Sequence, residues 1–232
     1  MPVYQLNEEI AFPDPEDANA DGLLAVGGDL SSDRLLVAYS LGIFPWFDEH
    51  SPILWWSPNP RLILEPHKLK VSKSFRRVLR QKKYRVVFDH HFDEVIHECA
   101  HTSRKHEEGT WITNEMEDAY IDLFHQGIAH SVEVYDDIEL VGGLYGLSLG
   151  KAFFGESMFF KKRDASKVAL YYLCSELKKW GFHFIDAQVE TDHLLSLGAE
   201  KISRTDFLRR LDGALASPTC KGKWIKNIQY EF

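Results

Sequence analysis

The 232-residue sequence predicts a mixed α/β (α+β) protein: a small N-terminal unit followed by a larger domain built on a mixed sheet. Three observations predict it. Beyond Leu62, segments of period-two alternation take turns with segments of helical period. The alternating segment FHFIDAQV directly follows a long helical run, DASKVALYYLCSELKKWGF, which places that strand inside an α/β domain. The first sixty residues differ in texture, being rich in turn formers and aromatics (FPDPEDANADG, GIFPWF, SPILWWSPNPR).

Taken in order, Ser32 or Asp33 caps a short helix that runs through Tyr39 and ends near Gly42. Prolines 45, 52, 58 and 60 predict irregular chain after it. A helix is expected from about Lys73 to Lys82, then the strand YRVVF and the helices FDEVIHECAH and EMEDAYIDLFHQG. Strands HSVEVYD, ELVGGLYGLSL and KAFFGESMFF follow, then the helix after Asp164, the strand FHFIDAQV and a helical FLRRLDGAL. A boundary near Arg61 divides the chain into units 1–61 and 62–232.

Composition narrows the class. Hydrophobic residues make up 44% and aromatics 13%, as in a globular domain. No apolar run approaches the ~18 residues of a membrane helix, and the start lacks the basic and apolar segments of a secretory signal. Cys99, Cys174 and Cys220 are few and widely spaced, against a disulfide framework or a structural zinc site. A cytoplasmic monomer without membrane contact is expected. The net charge of −8 disfavours a nucleic-acid partner until its distribution is considered. Nine Lys/Arg and no acid lie between Lys68 and Arg85, leaving 18 basic against 35 acidic residues elsewhere. This is one cationic patch on an acidic body.

Several constellations carry candidate chemistry. In IDAQVETDH, alternation sends Ile185, Ala187 and Val189 to one face and Asp186, Gln188 and Glu190 to the other. A carboxylate and an amide two residues apart either meet water or handle a substrate. In KVSKSFRRVLRQKK, Phe75, Val78 and Leu79 form the buried stripe while Lys73, Arg76, Arg77 and Arg80 share another face. Four repelling cations there fit phosphates, or a solvated face paired with acids elsewhere. Of Trp46, Trp55, Trp56 and Trp111, Trp46 is favoured as a stacking platform; core filling accounts for others. Glu156 lies among Phe153, Phe154, Met158 and Phe159, positioned for a cationic group or for a salt bridge with Lys161 or Lys162. HECAH, His97–His101, matches H-E-x-x-H, with Glu115 as a weak third ligand. It also reads as an amphipathic helix whose Phe92, Val95, Ile96 and Cys99 face the core.

From about Ile10 to Leu211 the ordered segments GLLAVGGDLSSDRLL, AYSLGIFPWF, PILWWSPNPR, EEGTWIT, AHSVEVY, LVGGLYG, FFGESMF, DASKVAL and IDAQVETDHLLSLGAE resemble the motifs of the leucyl/phenylalanyl-tRNA–protein transferases. The resemblance implies a small N-terminal domain and a C-terminal GNAT-like acyltransferase domain. It also implies transfer of leucine or phenylalanine, with methionine a third candidate, from aminoacyl-tRNA to proteins beginning with Arg or Lys. The products enter N-end-rule degradation, and no ATP, CoA or metal is required. Gln188 and Asp186 would be catalytic, and Glu156 would bind the acceptor's cationic end. Leu144, Phe153, Met158, Leu170, Ile185 and Val189 would line the aminoacyl pocket, with Ser157 and Thr191 beside it. Thr191 stands where the family carries Asn. Trp46, Trp111, Tyr39 and Tyr120 would surround the terminal adenosine or the acceptor. Lys73, Arg76, Arg77, Arg80, Lys82 and Lys83 would hold the tRNA acceptor stem.

Competing readings belong to other classes. A CoA-dependent N-acyltransferase needs a glycine-containing pyrophosphate loop after GESMFF, where KKRDASK has none. A zinc peptidase rests on HECAH alone, and HECAH is not a motif of the family. A non-catalytic RNA-binding module explains the basic helix but not the carboxylates.

Overall fold

The computed structural model describes residues 3–102 and 112–228, and its two sheets follow the change in sequence texture. Strands β1 (Tyr4–Leu6), β2 (Leu23–Gly27), β3 (Phe44–Pro45) and β4 (Leu54–Trp56) form a four-stranded sheet in the order β1-β2-β4-β3, with helix α1 (Ser32–Ser40) between β2 and β3. The cap of α1 is Ser31, one residue before the expected position; its side chain accepts from Arg34 N–H. The expectation of irregular chain around the prolines is corrected here. Pro45 is accommodated because β3 is an edge strand, where a missing N–H leaves no ladder bond broken.

The second sheet contains eight strands in the order β11-β5-β10-β9-β8-β7-β6-β12. They are β5 (Arg61–Leu64), β6 (Arg85–Phe88), β7 (Ala129–Asp136), β8 (Glu139–Leu149), β9 (Ala152–Phe160), β10 (Phe184–Gln188), β11 (Glu200–Ile202) and β12 (Lys226–Ile228). The helices α2 (Lys73–Gln81), α3 (Phe92–His101), α4 (Asn114–His125), α5 (Ala165–Lys179), α6 (Asp192–Ser196) and α7 (Arg204–Leu215) connect or cover them. All neighbours in this sheet are antiparallel except β9 and β10, which are parallel and joined by α5. Strands β1, β5, β11 and β12 had no signal of their own, being too short to show a period.

Alternation along the central strands divides the apolar residues between two clusters. Phe154 and Phe184 join Leu24, Tyr39, Trp55, Tyr120 and Phe207 on one face. Phe153, Leu144 and Ile185 join Leu170, Leu173 and Trp224 on the other. Trp55 is fully buried, with its indole N–H donating to Gly27 O, so the core-filling reading applies to it.

A buried polar knot fixes the C-terminal segment. Asp89 accepts from Ser131 N–H (2.8 Å) and Trp224 N–H (2.6 Å), and His130 Nδ1 lies 2.8 Å from the same carboxylate. The Trp224 ring stacks on His130 at 3.6 Å. Replacing Asp89 with Ala leaves these donors without a partner in a dry interior. Asp89→Ala is therefore expected to lower unfolding stability by about 3 kcal/mol, read by chemical denaturation.

Candidate active site

The site is built where two neighbouring strands carry a bulge side by side. In β9, Tyr145 pairs with Ser157 but Gly146 pairs with Gly155, so Glu156 is the extra residue. Its effect shows in the faces: Phe154 and Phe159, five residues apart, enter the same core cluster. In β10, Asp186 pairs with Ile63 and Gln188 with Leu62, so Ala187 is the extra residue, and Gln188 takes φ +60°. Bulges turn side chains out of a strand's alternation. Here they bring the tips of Glu156 and Gln188 together, with Gln188 Nε2 donating to Glu156 Oε1 at 2.9 Å.

The strand that posed the question in the sequence thus departs from simple alternation. Asp186 does not face the cavity alongside Gln188. It is fully buried, and Arg61 grips it with two bonds, Nε to Oδ1 at 2.8 Å and Nη2 to Oδ2 at 2.6 Å. The Arg61 guanidinium lies between the rings of Phe44 and Phe207, 4.7 and 4.4 Å from their centroids. Asp186 Oδ1 also accepts the backbone N–H of Gln188 at 3.0 Å. Its role is to hold the bulge, acting on the Gln188 main chain rather than on the amide group.

Glu156 is enclosed from the other side. Tyr120 O–H donates to Glu156 Oε2 at 3.0 Å, and Tyr39 and Tyr120 share a short hydroxyl contact. A phenol has one proton, so Tyr39 donates to Tyr120 and Tyr120 to Glu156. Burial pushes the Glu156 carboxyl up to about 7 despite the hydrogen bonds it accepts from Tyr120 and Gln188. Burial, and next the Glu156 charge, raise both phenols well above their usual range. Tyr39 and Tyr120 are fully buried and stand behind Glu156, which corrects their expected place around the adenosine or acceptor. The expected alternative for Glu156, a salt bridge to Lys161 or Lys162, does not form: Lys161 pairs with Glu98, and Lys162 with Asp136 and Glu139.

In front of this pair lies a cavity of about 1690 Å³. It opens because β10 pairs with β9 only over Ala152–Phe154, after which the two parallel strands part. Leu144, Phe153, Met158, Leu170, Ile185 and Val189 all line it, as do Ser157, Thr191, Glu156, Gln188 and Trp46. Trp46, 42% exposed, tilts against Trp56, whose indole N–H donates to Trp46 O. Thr191 also caps α6 by accepting from Leu194 N–H. Trp111 lies outside the described residues.

The basic face lies beside this opening. Lys73, Arg76, Arg77 and Arg80 of α2 are exposed and make no ion pair among the described residues, while Lys83 pairs with Asp136 at 2.9 Å. Lys82, half-buried, caps α2 in the left-handed conformation with φ 51°. A smaller hollow beside α2, lined by Arg77, Lys83 and Tyr84, shares Arg163 and Asp164 with the main cavity. Lys167 and His193 line the main cavity as well, and burial, then the Lys167 charge, lowers the His193 pKa. Sequence reasoning missed Arg61, Arg163, Lys167 and His193. The KKR run at 161–163 was the available signal for Arg163, whereas Arg61 stood only as a boundary.

Such an arrangement, an apolar cavity at parted parallel strands with a polar pair at its base and cations at its rim, suits an enzyme of the mixed α/β class that binds an apolar group carried on an anion. The chain matches the family model described as leucyl/phenylalanyl-tRNA protein transferase over residues 63–212, and the model of that family's N-terminal domain over 28–59. It is 57% identical over 224 residues to a leucyl/phenylalanyl-tRNA–protein transferase of Desulfatibacillum aliphaticivorans, covering 97% of this chain and 96% of that one. Relatives of the same description from Anaeromyxobacter sp. (strain Fw109-5) and Maridesulfovibrio salexigens are 54% and 56% identical, each over 97% of this chain and over 95% and 94% of their own. The chain belongs to the leucyl/phenylalanyl-tRNA–protein transferase family and is an aminoacyltransferase. Among solved structures, a GCN5-related N-acetyltransferase from Kribbella flavida aligns with a TM-score of 0.37 at 10% identity, over 72% of this chain and 60% of that one. The L-PGS structure from Bacillus licheniformis also scores 0.37, at 12% identity over 86% and 66%. At such scores the fold rests on the strand order and registers given above.

Two outcomes follow from the buried charges. Arg61→Ala strands Asp186 without its partner, and a loss of roughly 3–5 kcal/mol in unfolding free energy is expected. The raised carboxyl of Glu156 holds a proton in the folded protein that the unfolded chain releases near its ordinary 4.5. Its contribution to stability is therefore complete below pH 4.5 and lost as pH rises through about 7. In Glu156→Gln that part of the decline should vanish, while the similar decline from buried Glu133, also raised to about 7, persists. Denaturant unfolding of both proteins across pH 4–8 reads the difference.

Proposed function

We propose that this protein transfers leucine or phenylalanine from aminoacyl-tRNA to the α-amino group of proteins beginning with Arg or Lys, marking them for N-end-rule degradation. The observation that carries the reading is the anchored amide of Gln188 at the base of an apolar cavity. In its ionised form, the one populated above about pH 7, Glu156 accepts but does not donate, so it holds the amide NH2 and leaves the Gln188 oxygen for a ligand N–H. That oxygen accepts a hydrogen bond from the attacking amine and aims its lone pair at the ester carbonyl.

The amine first loses a proton from its ammonium form. It then forms the C–N bond, the carbonyl passes through an oxyanion, and the ribose C–O bond breaks as the leaving oxygen takes up the proton that the new amide nitrogen sheds. An ester becomes an amide, so the reaction runs downhill without ATP, CoA or a metal. Holding amine and ester together contributes up to roughly 7–11 kcal/mol in favourable cases, and a neutral amide serves better for positioning than as a base. Leu144, Phe153, Met158, Leu170 and Ile185 receive the leucyl or phenylalanyl side chain, and Trp46 offers a ring to the terminal base. Lys73, Arg76, Arg77 and Arg80 follow the acceptor-stem phosphates, and Arg163 and Lys167 lead them to the cavity. Glu156 at the base and Asp48 and Glu49 at the rim present carboxylates to the acceptor's cationic end. Residues 1–61 and 62–232 act as two units of a cytoplasmic monomer. Among the described residues no helix is long and apolar enough to cross a membrane.

Incubation with radiolabelled Leu-tRNA and a reporter beginning with Arg, in excess EDTA, tests the reading. Label should move to the reporter, and Gln188→Ala should reduce that rate by about 100-fold with Leu-tRNA binding retained. Tightly bound tRNA with no label on Arg or Lys reporters would instead favour an RNA-binding module. Arg77→Ala should weaken tRNA binding and lower the slope of log affinity against log salt by roughly one.

A further inference from the structure

The H-E-x-x-H segment takes no part in the transfer site, yet its surroundings have the chemistry of a metal site. Helical spacing sets His97 and His101 one turn apart on α3, with their rings stacked at 4.0 Å. Helix α4 brings Glu117 beside them from its first turn, Oε2 lying 3.6 Å from His97 Nδ1. One ligand atom from each of the three residues falls within 4.8 Å of the others. The sequence pointed to Glu115 as the third ligand; the fold supplies Glu117, two residues further on, because that position turns toward α3. Both histidines are exposed and Glu117 is half-buried, so an ion reaches them directly from solvent.

Two further contacts define what the cluster is for. His101 Nδ1 sits 2.9 Å from His97 O. A neutral imidazole donating there has its lone pair on Nε2, the orientation that a backbone carbonyl imposes on metal-binding histidines. The Glu98 carboxylate, which in a peptidase would activate the metal-bound water, is instead held by Lys161 Nζ at 2.6 Å. The cluster therefore has ligands without a general base.

We propose that His97, His101 and Glu117 bind one borderline divalent transition ion, with Zn2+ the best match, as a clip between α3 and α4. Two imidazoles and one carboxylate suit Zn2+, Co2+ or Ni2+, whereas Mg2+ and Ca2+ favour oxygen ligands throughout. Ligand bonds of about 2.0–2.2 Å require the three ligand atoms, which lie within 4.8 Å of one another, to draw together around the ion, leaving the fourth position to water. The ion closes the chain between His101 and Glu117 and so stabilises the folded state through loop closure and through binding to that state alone. None of the three residues lines the transfer cavity, so the clip acts on stability and not on the reaction.

The test uses the tag-free, full-length protein stripped with EDTA and desalted. Zn2+ titration calorimetry, Co2+ absorption and thermal melts are read for the parent, His97→Ala, His101→Ala and Glu117→Gln. One equivalent of Zn2+ should bind and raise the melting temperature, with tetrahedral Co2+ bands in the visible range. Each histidine variant should bind at least ~10-fold more weakly while melting like the parent in EDTA. Absence of Zn2+ binding by the parent would overturn the proposal. So would a Zn2+ affinity unchanged in His101→Ala, which would place the ion elsewhere, for example at exposed Cys220.

Discussion

Arg61 and Asp186 form a fully buried ion pair in the eight-stranded sheet, and the geometry of the transfer site depends on it. Neither charge is tolerable alone in that interior, and the pairing is two-pronged, so the two strands carrying them are locked in one register. The locked register creates the bulge at Ala187, and the bulge turns Gln188 away from the strand's alternation. The Asp186 oxygen that accepts the Gln188 N–H stabilises that backbone at its positive φ. A fully buried pair that does not line the cavity thereby sets the position of the amide at the cavity's base. Phe44 and Phe207 flank the guanidinium and connect this pair to both the four-stranded sheet and α7.

The second support comes through Glu156. Its bulge on β9 lies beside that of β10, and a chain of hydrogen bonds runs from Tyr39 on α1 through Tyr120 on α4 to this carboxylate and on to Gln188. Elements far apart in sequence thus converge on one side chain. The small N-terminal sheet contributes Trp46 and Trp56 to the cavity wall and, through α1, Tyr39 to the hydrogen-bonded chain. It completes the site as well as covering the core.

Charge is divided along the same lines. The acidic body carries Asp48 and Glu49 at the cavity rim, and the cationic face of α2 approaches the same opening through Arg163. Under the proposed function one substrate is a polyanion and the other presents a cation, and the two approaches carry the complementary charges.

What the sequence by itself determined was whatever depends on local period and on composition. The helices from α2 to α5, the central strands β6 to β10 and the cationic face of α2 all follow from spacing that a single segment contains, whereas the apolar lining from Leu144 to Ile185 came with the family resemblance. The family's ordered motifs carried the choice of chemistry. Only the tertiary structure decided which side of its strand Gln188 occupies, that Asp186 answers to Arg61 rather than to substrate, that Tyr39 and Tyr120 stand behind Glu156, and that Glu117 rather than Glu115 meets the histidines. Each of these depends on contacts between residues distant in sequence, or on one extra residue in a strand. Alternation has a period of two, so a bulge that adds one residue reverses every face after it, and no local pattern records where the partner strand will force that reversal.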